Sequence, residues 1–135
     1  MRRASPMNAR AQLLLRVDCA AGAIMGVLVL VLREPLARFY GFAGGALVFA
    51  GATNLLYACY SGVLAITAWK AGTVSRGSVT VLACGNMAWL FGCMGIVASQ
   101  WSTGRAIGHA FVLVEGVVVA TLGLVEYRYV RPQAS

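Results

Sequence analysis

Residues 109–123 read HAFVLVEGVVVATLG, a nearly uninterrupted apolar run with one acidic residue, Glu115, near its middle. The run belongs to a longer apolar block, residues 106–127, which can cross about 30 Å of hydrocarbon as a helix. Three earlier blocks of similar length and composition lie at residues 12–32, 45–69 and 77–99. The sequence therefore predicts an all-α fold, a four-helix transmembrane bundle with its helices in up-down-up-down order.

The composition agrees with a protein of the lipid bilayer. Of the 135 residues, 60% are hydrophobic and 11% are charged, whereas about 25% are charged in soluble domains. The predicted spans take up most of the chain and leave no block for a soluble catalytic module. We therefore expect residues 1–135 to form a single transmembrane domain.

The net charge of +7 raises the question of nucleic acid, but the basic residues are spread over both tails and all three loops. An up-down order places both tails and the turn at residues 70–76 on one face of the membrane. That face has eight basic residues and the other has three, respectively Arg2, Arg3, Arg10, Arg16, Lys70, Arg76, Arg128 and Arg131, and Arg33, Arg38 and Arg105. Because basic residues favour the cytoplasmic side, both termini are predicted to be cytoplasmic, in a bacterial inner membrane, with no nucleic-acid partner.

The connection after the first span reads EPLARFYGFAGG, residues 34–45. Arg33, Glu34 and Pro35 are expected to end the span, and the glycines are expected to turn the chain back. Elsewhere, pairs such as Gly22 and Gly26 predict helices whose backbones approach closely.

Polar residues recur at one depth of the predicted bundle. Glu115, Asn54 and Asn86 each lie about ten residues into a span, near the bilayer midplane. An ionised acid facing lipid there costs about 2.5 to 3.5 kcal/mol, so Glu115 should face the bundle, find a partner or hold a proton. We expect these three side chains to meet in one polar layer.

Helical spacing extends this layer to neighbouring residues. Asn86, Trp89 and Cys93 form one stripe, and Asn54, Tyr57 and Ser61 form another. Glu115, Val119, Leu122 and Glu126 share a face of the last helix. The candidate ligand- or proton-binding residues are Glu115, Asn86, Asn54, Trp89, Tyr57 and Asp18.

The other two intramembrane acids have simpler interpretations. Asp18 is expected to form a hydrated pair with an arginine of another segment, because Arg16 is too close in sequence to face it. Glu126, near the basic end of its span, is expected to be a partly exposed ion pair or interface anchor.

No residue pattern predicts a cofactor, a metal site or an active site. Cys19, Cys59, Cys84 and Cys93 all fall inside apolar blocks and are expected to be small buried residues. The single histidine, His109, is expected at the membrane interface, and no two soft ligands have metal spacing. No catalytic triad, paired acids or phosphate-binding glycine loop can be assembled.

The segments LLRVDCAAG, REPLARFYGF, GNMAW and FVLVEG resemble those of small bacterial four-span integral membrane proteins without an assigned activity. The chain is also similar in size and span number to small multidrug-resistance exporters. Those exporters carry their essential glutamate in the first span, whereas the deep glutamate here is in the fourth, so no role is transferred.

Two interpretations of Glu115 stay open: a protonated acid bonded to an asparagine that fixes helix register, or a group that binds a proton, cation or polar ligand. The sequence favours a non-enzymatic membrane protein, with a structural or interaction role or with a binding site for an apolar or lipid-like molecule. The alternative is a proton-coupled small-molecule transporter acting as a dimer. The partners expected are the lipid bilayer and either further copies of the chain or another membrane protein.

Overall fold

The computed structural model describes residues 7–135, so Arg2 and Arg3 of the charge count lie outside the described residues. Within that range the chain forms five α-helices and no strand. The helices are α1 (Ala9–Val31), α2 (Arg33–Tyr40), α3 (Gly44–Ala71), α4 (Arg76–Ser99) and α5 (Ala106–Val125). A π-helical segment, Glu126–Val130, and a 3₁₀ turn, Arg131–Gln133, continue directly from α5.

Four helices are long and apolar enough to cross a membrane: α1, α3, α4 and the continuous helix Ala106–Gln133. This confirms the prediction of an all-helical protein with four candidate membrane spans. The predicted spans coincide with these helices, except that the last helix continues beyond residue 127.

The long helices pack as two close pairs, α1 with α3 and α4 with α5. Glycines make both contacts tight. A Cβ atom on Gly26 would lie 2.9 Å from the Gly51 carbonyl oxygen, and one on Gly123 would lie 2.7 Å from the Ala83 carbonyl oxygen. The helix backbones therefore touch at these positions, as the small-residue pattern predicted.

The connection between α1 and α3 differs from the prediction of a simple turn. After α1 ends, residues 33–40 form the short helix α2. Pro35 lies in the first turn of α2. Backbone N–H groups in the first turn have no acceptor within their helix, so the N–H that proline lacks costs no hydrogen bond there. Gly41, with φ +71°, ends α2 in a left-handed conformation, whereas Gly44 and Gly45 belong to the first turn of α3. Only Gly41 therefore turns the chain back.

Two clusters of buried apolar residues lie on either side of the polar middle of the bundle. One cluster contains Met7, Leu15, Leu82 and Val130, and beside it Met7 and Ser135 bond to the α3–α4 turn. There the Met7 amide donates to the Gly72 carbonyl at 2.8 Å and the Ser135 amide donates to the Val74 carbonyl at 3.0 Å. The other cluster contains Tyr40, Phe42, Trp89, Cys93 and Val112.

The four cysteines are free thiols. Cys93 is buried, as predicted, and Cys19 is half-buried. The prediction was wrong for Cys59 and Cys84, which are exposed on the outer helix surfaces. Hydropathy does not separate these positions, because an outer surface that faces lipid is as apolar as the packed interior.

Candidate functional site

A cavity of about 250 Å³ lies between the two helix pairs. Its lining is mostly apolar and comes from all four long helices: Asp18, Ala21, Gly22, Met25, Asn54, Tyr57, Asn86, Trp89, Phe111, Val114, Glu115, Val118, Val119 and Leu122. Direct contact between α1 and α5 is sparse. Val114 and Val118, which are 62% and 61% exposed, mark the opening of the cavity between these two helices.

Glu115 is one of several polar residues in the wall of this cavity. Its Oε1 accepts hydrogen bonds from Asn54 Nδ2 at 2.8 Å and from Trp89 Nε1 at 3.3 Å. Asn54 Nδ2 also donates to the Ala50 carbonyl at 3.1 Å, which fixes the orientation of the amide. Both protein donors therefore reach the same oxygen, and the other oxygen, Oε2, can bond to a molecule in the cavity.

A second polar group is centred on Asn86. Its Nδ2 donates to Asp18 Oδ1 and to Glu126 Oε2, both at 3.0 Å. These two oxygens share one donor nitrogen and are thus at most about 6 Å apart. Asp18 is 7% exposed and Glu126 is fully buried. Asp18 Oδ2 and Glu126 Oε1 are buried without a hydrogen-bond partner among the described residues.

The Asn86 amide is too weak a partner for two ionised acids. Two negative charges about 6 Å apart repel each other by roughly 3 kcal/mol at an effective dielectric constant of about 20. Each buried ion also loses hydration worth several kcal/mol. A hydrogen bond to a charged acceptor contributes about 1.5 to 3 kcal/mol. Two such bonds do not offset repulsion and two desolvation terms together, so this arrangement strongly favours fewer than two negative charges.

The structure divides the predicted single layer into two groups. Asn54, Trp89 and Glu115 form one, whereas Asn86 bonds instead to Asp18 and Glu126. Asn86 therefore lines the same cavity as Asn54 and Glu115 but does not bond to either of them. Gly123 explains the difference, because a Cβ atom there would lie 2.8 Å from Asn86 Cβ. Because Gly123 has no side chain, α5 can approach Asn86 closely at this position, and Glu126 follows one turn later on the same helix.

The predicted surroundings of Asp18 and Glu126 were also wrong. Within residues 7–135, Asp18 bonds to Asn86 and to no arginine, and Glu126 is buried instead of partly exposed. Nearby arginines have other contacts: Arg16 lines a separate surface groove beside Trp69, and Arg131 donates to Thr80 Oγ1 at 2.8 Å. Arg16 is thus at the surface, where its charge is hydrated, and the half-buried Arg131 bonds to a threonine instead of an acid.

All six candidate residues line the same cavity. Tyr57 contributes its ring, which packs where a Cβ atom on Gly85 would lie. Glu126 is the polar residue absent from the candidate set, although its position on the helix face of Glu115 was a usable signal. His109 lies away from the cavity, near the α4–α5 loop, where its Nε2 is 3.2 Å from the Gln100 carbonyl oxygen. Whether the six residues bind a ligand or proton stays a prediction.

The similarity to small bacterial four-span proteins also stays a prediction, because no family model matches the chain and no curated protein or solved structure is significantly similar to it.

Proposed function

We propose that this protein is a non-enzymatic integral membrane protein that binds a small apolar or lipid-like molecule in the cavity between its helix pairs. The observation that carries the proposal is the placement of Glu115, a hydrogen-bond acceptor, in a cavity wall that is mostly apolar and that also contains Asp18, Asn54 and Asn86. Sites for small molecules combine an apolar lining with a few fixed polar groups in this way.

The dimensions and chemistry of the cavity restrict the ligand. A volume of about 250 Å³ is slightly below the range of roughly 300 to 1,000 Å³ for drug-sized ligands. The cavity therefore fits a small molecule, or one end of a longer molecule whose chain leaves between α1 and α5. When the Glu115 carboxyl group is ionised, its Oε2 can only accept hydrogen bonds. The ligand should therefore carry a hydrogen-bond donor, either an amine or a hydroxyl group.

The role of Glu115 is tested with two probes, a medium-chain alkylamine and the alkanol of the same length. Binding to purified protein in liposomes is measured by calorimetry. We expect Glu115→Gln to weaken binding of the amine about tenfold or more, which is roughly 1.4 kcal/mol, because an ion pair is lost. The alkanol should be affected much less, because glutamine still offers a carbonyl acceptor.

Glu34→Gln is the matched control, since it makes the same chemical change at an exposed acid of α2. It should leave binding of both probes unchanged. A large effect on the alkanol alone would contradict the acceptor role of Glu115, because glutamine still offers a carbonyl acceptor. Absence of binding by either probe, or equal effects of the two glutamine variants, would contradict the proposed site.

We further propose that the helices cross a bacterial inner membrane in up-down-up-down order with both termini in the cytoplasm. The excess of basic residues at the chain ends and the 70–76 turn supports this orientation. In a variant without native cysteines, a membrane-impermeant thiol reagent on intact cells should label Ser102→Cys but not Ser135→Cys. The opposite pattern, or labelling of both positions, would contradict the orientation.

A further inference from the structure

The hydrogen bonds among Asp18, Asn86 and Glu126 are separate from those of Glu115, although Asp18 and Asn86 line the same cavity. This group brings together two buried acids from different helices, with one neutral amide between them. We propose that Asp18 and Glu126 form a proton-binding site, in which the proton resides on Asp18 Oδ2 or Glu126 Oε1, the two oxygens that Asn86 does not contact. This proposal is independent of whether the cavity binds an amphiphile.

The hydrogen-bond arrangement calls for a proton. Asn86 has two N–H hydrogens on Nδ2, and each donates to one acid. No donor among the described residues forms a hydrogen bond to Asp18 Oδ2 or Glu126 Oε1, and both atoms are buried. A proton on either acid removes one negative charge and relieves the repulsion between two acids held by a single amide.

Charged and titratable neighbours do not replace this proton. From α3, Tyr57 lines the adjoining cavity, and from α5, Glu115 lines it with Oε1 bonded to Asn54 and Trp89. Neither supplies a positive charge. Among residues 7–135, the basic side chains of the nearest segments are directed elsewhere: Arg16 lines an outer groove, Arg128 is exposed and Arg131 contacts Thr80 and the Tyr127 ring.

The same geometry disfavours a metal ion. Both acids face the N–H side of Asn86, so a cation between them would meet the positive end of the amide dipole. Hard cations need about six oxygen ligands, and two free carboxyl oxygens fall well short of that number. Within residues 7–135, no group of three or more His, Cys, Asp or Glu side chains is placed to hold a metal.

Asp18 is the acid through which the proton can enter. Asp18 and Asn86 line the cavity, whereas Glu126 lies behind them and does not. Asp18 Oδ2 itself is buried, so the Asp18 side chain would have to turn toward the cavity to accept a proton from a hydronium ion there. The oxygen would then form an O–H bond, and a water molecule would be left. Glu126 would then keep its charge close to a neutral Asp18, or exchange the proton with it.

The chain permits a clean test, because it contains only four acidic residues: Asp18, Glu34, Glu115 and Glu126. In Glu115→Gln protein, the only other acid besides the pair is the exposed Glu34. Infrared spectra of this protein in liposomes near neutral pH should show a protonated carboxyl band of about one group per chain. Adding Asp18→Asn and Glu126→Gln should abolish that band.

Three results would overturn the proposal. The first is the absence of the protonated band in Glu115→Gln protein, which needs no substitution in the pair and so does not depend on the folding of the triple variant. The second is persistence of the band in the triple variant. The third is loss of the band when sodium replaces choline at constant pH, because that would assign the site to a metal cation.

Discussion

Replacing Asn86 with leucine is expected to lower the free energy of unfolding by about 2 to 3 kcal/mol, measured by reversible denaturation in detergent micelles. Leucine has the same branched arrangement of four side-chain heavy atoms as asparagine, but it is bulkier and donates no hydrogen bond. The Asn54→Leu control carries the same increase in size. Asp18 and Glu126 would each lose their one hydrogen bond from Asn86 and stay buried. Hydrogen bonds between membrane helices contribute only about 0.6 kcal/mol on average. A larger loss of stability would therefore show that both buried acids depend on this shared donor.

Asn54→Leu is the matched control, because it makes the same change at similar depth on the neighbouring helix. Glu115 would lose the Asn54 donor but keep Trp89, which bonds to the same oxygen. We expect this control to cost about 1 kcal/mol. If Asn54→Leu is as damaging as Asn86→Leu, the two acids do not depend on Asn86 in the way the structure indicates.

Gly123→Ala should destabilise the contact between α4 and α5. The added methyl group would lie 2.7 Å from the Ala83 carbonyl oxygen and 2.8 Å from Asn86 Cβ, so the helix backbones must separate. Overpacking of this kind costs about 1 to 3 kcal/mol. The shift also moves Glu126, one turn later, away from Asn86.

Gly95→Ala is the control for this substitution, since a Cβ atom at Gly95 of α4 has no neighbour within 4 Å. In a helix interior, alanine is favoured over glycine by about 0.5 to 1 kcal/mol, so this variant should be as stable as the parent or slightly more stable. The difference in thermal unfolding between the two variants measures how much the steric clash at residue 123 destabilises the protein. Equal stability of both would show that α4 and α5 can separate freely at Gly123.

Hydrophobic length predicted the main elements of the fold well, because a span needs about 20 apolar residues and few other patterns meet that condition. It did not predict α2. A proline and two charges in residues 33–35 were interpreted as a helix end, and a helix does end at Val31. The same residues also suit the first turn of a new helix, and sequence alone does not separate the two cases.

The polar interior was predicted in part. Depth along each helix placed Glu115 and Asn54 together, and helical spacing placed Trp89 beside them. Depth did not reveal the partner of Asn86, since that depends on which helices pack closely and on their rotation. The close approach at Gly123 decides it, and one glycine among the 16 in the chain gives no such signal.

The gap between α1 and α5 has a consequence for how occupancy of the cavity should be measured. A molecule that enters sideways, past Val114 and Val118, comes from the lipid phase and not from the aqueous solution. Its local concentration is then fixed by its partition coefficient. Apparent affinity would rise with lipophilicity even when the contacts in the cavity are unchanged, and added empty vesicles would compete for the compound and reduce occupancy.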